Sequence, residues 1–239
     1  MGKAIALALA EAGYDIALHY NSSTRSANTT AKKIRSLGVA CETFQTNLAQ
    51  MQAFDSFFED IMGTFPNLNV LVNSASGYVQ AELSETQQED YDFQFALNLR
   101  APYFLSQSFA KKVGAGNIIN ILDNKIDFNQ PQYAAYVLTK KALADFTKLA
   151  ALEFAPDIRV NGVAPGVVLP AGSRSKEYIK WRVQAIPLKK QGKTSNITDT
   201  ILHLLENDFI SGQILVVDGG ESITNEGLNS GAYHDQSKV

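Results

Sequence analysis

A chain of 239 residues that is 45% hydrophobic has enough apolar mass for one domain with a large core. A net charge of −3 with no basic cluster argues against a nucleic-acid partner, and no apolar run approaches the ~20 residues that cross a bilayer. Cys41 is the only cysteine, so no internal disulfide can form and a cytoplasmic location is expected. The chain opens on a helix over residues 2–12, closed by Gly13; its alanine-rich start after Lys3 continues into an amphipathic pattern and does not read as a leader. A strand at 14–20, a helix at 24–37, a strand at 39–44, a helix at 49–65 and a strand at 68–72 follow. A long helix is expected to begin near Ser84, where Ser84-Glu85-Thr86-Gln87 has the form of a capping box, and to run to about residue 113. Pro102 offers no N–H to the carbonyl of Asn98, so this helix should kink there. Then come a strand at 116–122, a helix from Tyr133 through Leu143, Phe146 and Leu149, a strand at 158–163, a loop over 169–181, a helix at 197–206 and a strand at 213–217. This alternation predicts an α/β fold, a doubly wound parallel sheet in three αβα layers. Residues 1–220 form its single domain, and 221–239 are a polar tail or a subunit contact.

The chemistry gathers where the central strand meets the helix after it. Tyr136 and Lys140 lie four residues apart and share one helix face, and an ammonium held against a phenol favours the phenolate. Tyr136 is therefore expected to give or take a proton near neutral pH. Asp123, at the end of the strand, can only accept hydrogen bonds when ionised. Were a substrate to meet it there, a ketone oxygen would be repelled as charge develops, and the ring N–H and amino groups of a nitrogen heterocycle would be welcomed. No metal is expected.

Four motifs occur in order along the chain: Asn73-Ser74-Ala75-Ser76, Asn98-Leu99-Arg100-Ala101-Pro102, Tyr136-x-x-x-Lys140, and Arg159-Val160-Asn161-Gly162-Val163-Ala164-Pro165-Gly166. In that order and spacing they resemble the short-chain dehydrogenase/reductase superfamily, from residue 2 to about residue 220. The resemblance implies a Rossmann fold that should open with a strand and a glycine-rich turn holding a pyrophosphate. Gly2 resembles the last glycine of that turn, so the first strand is absent from this chain and about a dozen residues are missing. The sheet is then expected to have a gap at its middle, whether the start of the reading frame was placed late or the product is truncated.

The resemblance also implies a cofactor and a cradle for it. His19, Tyr20, Asn21, Ser22 and Ser23 offer no carboxylate where an NAD-preferring fold binds the ribose, and Arg25 adds charge, so NADP(H) is expected. Asn47 and Leu48 stand at the adenine position, Asn73 and Ala75 along the cofactor, and Pro165, Gly166 and Val168 against the nicotinamide, with Val168 contacting its carboxamide through backbone. Tyr136 and Lys140 bind its ribose, and Asn98 holds the water of a proton relay.

Asp123 stands where most members carry a serine, and there the chain resembles the pteridine reductases and the dihydromonapterin and dihydrofolate reductases. Ser76, Tyr78, Asp123 and Tyr136 then bind a pterin, with Tyr78 as an aromatic wall. The implied activity is NADPH-dependent reduction of a pterin C=N bond. A carbonyl reductase of the same fold and a non-catalytic scaffold for a dinucleotide or a protein are the alternatives. A homo-tetramer is implied by the resemblance alone.

Overall fold

Six parallel strands, each joined to the next through helices, carry the fold in the computed structural model, which describes residues 1–169 and 175–224. In chain order the elements begin α1 (Gly2–Glu11), β1 (Ile16–Tyr20), α2 (Thr24–Arg35), β2 (Cys41–Gln45), α3 (Phe54–Thr64) and β3 (Val70–Asn73). They continue with α4 (Gln88–Phe95), α5 (Ala101–Lys112), β4 (Gly116–Ile121), α6 (Ala134–Glu153), β5 (Ile158–Pro165), α7 (Lys176–Arg182), α8 (Thr194–Glu206) and β6 (Ile214–Val217).

The strands fall into two sheets. β1 pairs with β2, from Ile16 opposite Cys41 to Tyr20 opposite Gln45. β3, β4, β5 and β6 pair in that order, with Val70 opposite Asn117 and Gly116 opposite Ile158. Among the described residues nothing pairs β1 with β3, so the expected gap at the middle of the sheet is present. The two halves are held together from above and below. On one face Ile5, Leu9 and Ala10 of α1 pack in a single cluster with Ile16 and Cys41 of the smaller sheet and with Ile119, Val163, Ile197 and Ile201 of the larger half. On the other, Phe54 and Phe58 of α3 join Leu105 and Phe109 of α5 around Ile118 and Val160, and Phe57 of α3 meets His19 of β1 and Phe44 of β2 edge-on. Burial of both Ile118 and Ile119 is what a strand covered on both faces requires.

Local structure departs from the sequence reading where side chains compete for the backbone. The helix expected from residue 49 starts at Phe54, because the Asn47 amide oxygen Oδ1 accepts the Ala49 N–H at 3.1 Å and closes a turn first. The capping box at Ser84 is not formed. Thr86 and Gln87 instead donate back to the carbonyls of Glu82 and Glu85, and α4 begins at Gln88 without a side-chain cap. The kink expected at Asn98 is a π-helical turn over Ala96–Arg100 between α4 and α5, which widens the helix where Pro102 withholds its N–H. Within the stretch read as loop, 170–174 lie outside the described residues, but Lys176–Arg182 is a helix. In the stretch read as a tail or a subunit contact, Glu221 is fully buried; 225–239 lie outside the described residues.

Two glycines give a direct test of this backbone. Gly116 has φ +146°, and a Cβ there would sit 2.2 Å from the Asn69 carbonyl oxygen. Gly63, in α3, has open space around it. Gly116→Ala should cost ~2–3 kcal/mol and lower Tm by about 5–10 °C, whereas Gly63→Ala should gain ~0.5–1 kcal/mol. Thermal melts followed by circular dichroism check both, and effects of equal sign would contradict the backbone described.

Candidate active site

The carboxyl end of β4 turns a carboxylate onto a phenol. Asp123 caps a short 3-10 turn, Asn124–Asp127, with Oδ1 accepting the Lys125 N–H at 2.9 Å. That fixes the carboxylate, and its Oδ2 accepts the Tyr136 hydroxyl at 2.8 Å. Tyr136 sits in the first turn of α6 and is itself buried. Burial, and then the neighbouring charge and hydrogen bond of Asp123, raise its pKa well above the usual phenol range; Ser76 offsets this only in part.

Lys140 lies one helical turn further on, 2% exposed, but its ammonium donates to the Ile121 carbonyl at 2.9 Å. Burial lowers its pKa to about 8, with Asp123 opposing the shift. This corrects the expected electrostatics. Spacing placed both side chains on one face, but the ammonium is drawn to a strand carbonyl and the phenol to a carboxylate. Tyr136 is thereby held as a neutral hydrogen-bond donor, not as a phenolate.

Asn98 is completely buried, and its carboxamide is a clamp. Its Oδ1 accepts from Ser76 Oγ at 3.1 Å and the Gly77 N–H at 3.0 Å, while Nδ2 donates to the Gly77 carbonyl and to Thr139 Oγ1. Thr139 in turn donates to the Tyr136 carbonyl at 2.7 Å. The segment after β3 is thus tied to the first turn of α6 through one amide. It carries Tyr78, whose ring centroid lies 5.7 Å from that of Tyr136 and 5.9 Å from that of Tyr133, half-exposed as an aromatic wall. Asn73 is buried too, donating to Asn120 Oδ1 at 2.8 Å and to Ser106 Oγ at 3.3 Å. The Asn73 Oδ1 and the Ser74 hydroxyl are buried without a partner.

The residues expected to cradle the cofactor do not share one cavity. Gly2, His19, Tyr20, Leu48, Asn73 and Ala75 line a cavity of about 920 Å³ in the sheet gap, while Asn21 and Asn47 line a second, open one of about 960 Å³. Ser22 is exposed just beyond β1. Burial lowers the pKa of His19, and its Nε2 pairs with the Thr46 carbonyl at 2.9 Å, tying β1 to the loop after β2. Tyr20 Oη donates to Gln45 Oε1 at 3.4 Å. Gly166, which follows Pro165 at the end of β5, is dictated by packing: a Cβ there would lie 2.6 Å from Asp218 Cβ. The Val168 carbonyl accepts from Gln191 Nε2 at 2.7 Å, which occupies one of its two lone pairs.

Three features near Asp123 carry no sequence signal. The Lys125 ammonium lies 4.7 Å from the Tyr133 ring centroid and donates to Gln130 Oε1 at 2.5 Å, and burial lowers its pKa. Arg182 of α7 and Glu221 form a buried ion pair. Asn124 donates to Glu221 Oε2 at 3.0 Å, linking that pair to the turn that Asp123 caps.

Comparison with known proteins identifies the frame. The family described as Enoyl-(Acyl carrier protein) reductase matches residues 1–222. The chain belongs to that family, within the short-chain dehydrogenase/reductase superfamily. This short-chain reductase is 30% identical over 228 residues to the 3-oxoacyl-(acyl-carrier-protein) reductase FabG of Staphylococcus epidermidis, covering 92% of this chain and 93% of the relative. Among solved structures it resembles FolM, alternative dihydrofolate reductase 1 from Brucella canis complexed with NADP. That match has TM-score 0.87 and 28% identity, over 94% of this chain and 91% of that one. It also resembles acetoin dehydrogenase from Enterobacter cloacae, at TM-score 0.85 and 29% identity, over 95% of this chain and 93% of that one. Among the described residues no helix is long and apolar enough to cross a membrane, and no cluster of acidic, histidine and cysteine side chains could hold a metal.

The burial of Lys140 predicts a pH signature. Below pH 8 both the folded and unfolded states hold the lysine proton. From about 8 to 10.5 the folded state has released it and the unfolded state has not, so stability rises with pH across that window. The rise should be on the order of 2–3 kcal/mol between pH 8 and 10 relative to Lys140→Met, by urea unfolding. A parallel course for the two proteins would contradict the lowered pKa.

Proposed function

We propose that this short-chain reductase uses NADPH to reduce the C=N bond of a pterin-type ring, and the bond from the Tyr136 hydroxyl to Asp123 Oδ2 carries the reading. The residues present fit the cofactor. The buried, unpartnered Ser74 hydroxyl and Asn73 Oδ1 end β3 beside the catalytic turn, and the Lys140 ammonium has donors beyond the one given to Ile121. Asn73, Ser74, Tyr136 and Lys140 would hold the nicotinamide and its ribose. Asn21 and Ser22, in a turn without a carboxylate, would take the adenosine 2′-phosphate. When bound, NADPH supplies the hydride.

The protein's part is the proton. With a closed Tyr136–Asp123 bond, the phenol's hydrogen is committed, and a ketone offers Asp123 nothing in exchange. A dihydropterin presents ring N–H and amino donors. When they take the Asp123 carboxylate, the Tyr136 hydroxyl is released and its proton passes to the ring nitrogen as hydride reaches the adjacent carbon. The protonated Lys140 below it offsets the phenolate left behind, and Tyr78 supplies a flat wall worth about 0.5–1.5 kcal/mol to a stacked ring. Asn98, whose carbonyl faces the position where Pro102 has no N–H, is the place for the water that returns the proton. A homo-tetramer in the cytoplasm and a domain ending near residue 220 belong to the same reading.

A second reading rests on the likeness to FabG and to acetoin dehydrogenase: a carbonyl reductase of a keto or acyl substrate. NADPH oxidation measured with dihydropterins and with simple ketones separates the two. Tyr136→Phe should lower turnover by roughly 10²–10⁴-fold with either substrate while leaving NADPH binding intact. Asp123→Ser should lower pterin turnover by a similar factor and raise ketone turnover. Unchanged pterin reduction in Asp123→Ser would remove the basis of the proposal.

A further inference from the structure

Among the described residues one ion pair is buried, and it reaches the Tyr136–Asp123 bond through a single amide. Glu221, in a 3-10 turn over Glu221–Ile223 after β6, is completely buried, and its partner Arg182, at the end of α7, is 7% exposed. The pairs of Arg35 with Glu42 and of Lys112 with Glu59 lie at the surface instead. Taking two charges out of water costs free energy that their attraction barely returns, and apolar side chains of similar volume serve stability as well or better. Cohesion alone therefore does not account for charge at this place.

The link to the site is Asn124, which directly follows Asp123 and is itself buried. Its Nδ2 donates to Glu221 Oε2 at 3.0 Å and to Asp218 Oδ2 at 3.3 Å, so both amide hydrogens are spent on carboxylates. Asp218 is fixed in turn, accepting the Gly220 N–H at 2.8 Å and the Ser222 N–H at 2.6 Å. Packing is close as well, since a Cβ on Gly166 would lie 3.4 Å from the Asn124 Nδ2. Asn124 is the first residue of the 3-10 turn that Asp123 caps, so holding its side chain holds the turn. Asp123 answers to that turn through Oδ1, which accepts the Lys125 N–H, and meets Tyr136 through Oδ2. The charges of Asp123, Arg182 and Glu221 all act on the Lys125 ammonium, which puts the ion pair within electrostatic reach of the site.

We propose that Glu221 is a positioning residue for the candidate site: through Asn124 it fixes the turn that aims the Asp123 carboxylate at the Tyr136 hydroxyl, and Arg182 supplies its countercharge from α7. Hydrogen bonds to a carboxylate are roughly twice as strong as those between neutral groups, which suits an ionised side chain to this task. The turn after β6 and the helix after β5 thereby belong to the site while acting only through Asn124. The inference rests on the Tyr136–Asp123 pair of the reading above and not on which substrate meets it.

The test observes that pair in the full chain, labelled with carbon-13 at the tyrosine Cζ. The Tyr136 resonance is assigned by its absence in Tyr136→Phe, and its position without the bond is given by Asp123→Ala. Asn124→Ala cuts the link and leaves the ion pair, whereas Arg182→Met with Glu221→Met removes the pair. At neutral pH each should move the Tyr136 resonance at least halfway to its Asp123→Ala position, and combining them should move it no further than either does. Glu59→Gln, which breaks a surface pair, should leave it in place. The same variants should lower kcat by roughly 10–100-fold in NADPH oxidation while KM for NADPH stays unchanged. Asn124→Ala keeps the ion pair and so decides the matter even where the paired substitution does not fold. A wild-type resonance in Asn124→Ala, or displacements that add, would overturn the proposal. A displaced resonance in a protein that reduces no dihydropterin would uphold this role and end the pterin reading, and dihydropterin reduction with an unmoved resonance would do the reverse.

Discussion

A phenol and a carboxylate 2.8 Å apart at the carboxyl end of β4 set the terms for everything else in the site. Either group alone is ordinary. Together, and buried, they raise the tyrosine's pKa and keep its hydrogen engaged. In the reading proposed above, the substrate supplies something in return for that hydrogen, so that selectivity and proton delivery become one event. The surrounding structure serves that pair: the 3-10 turn fixes the carboxylate, Asn98 and Thr139 fix the helical turn bearing the phenol, and the buried Lys140 places positive charge beneath both.

The scaffold holding this pair consists of two parallel sheets with no strand pairing between them among the described residues. Their cohesion comes from α1 and α3, which bridge the halves with apolar side chains, and not from a continuous hydrogen-bonded ladder. The larger half also carries a buried polar chain, Ser106 to Asn73 to Asn120 to Thr147, crossing β3 and β4 and reaching α5 and α6. Each member is satisfied by the next except the Asn73 Oδ1, which lies at the gap. The gap and the end of the sheet that carries the candidate site therefore meet at β3.

Much of this was legible in the sequence, for identifiable reasons. The strand and helix order follows from apolar periodicity, the break at Asn98 from a proline's missing N–H, and the placing of residue 123 beside residue 136 from the resemblance to the superfamily. What was not legible depended on where side chains turn. Thr86 and Gln87 have the residue types of a cap but bond backward, and Asn47 closes a turn ahead of α3. Helix α7 is only seven residues long, too short to declare a period, and is held by the buried pair of Arg182 with Glu221, two residues that nothing local connects. The same limit applies to Lys140. Spacing shows which face a side chain shares, whereas the Ile121 carbonyl decides where its ammonium points.

The central claim is an exchange of partners at Asp123, and the structure of a ternary complex with NADP and a dihydropterin tests it most directly. The account predicts a ring N–H on Asp123 Oδ2 and the Tyr136 hydroxyl turned to the ring nitrogen. A Tyr136–Asp123 bond still closed with the pterin in place would contradict it.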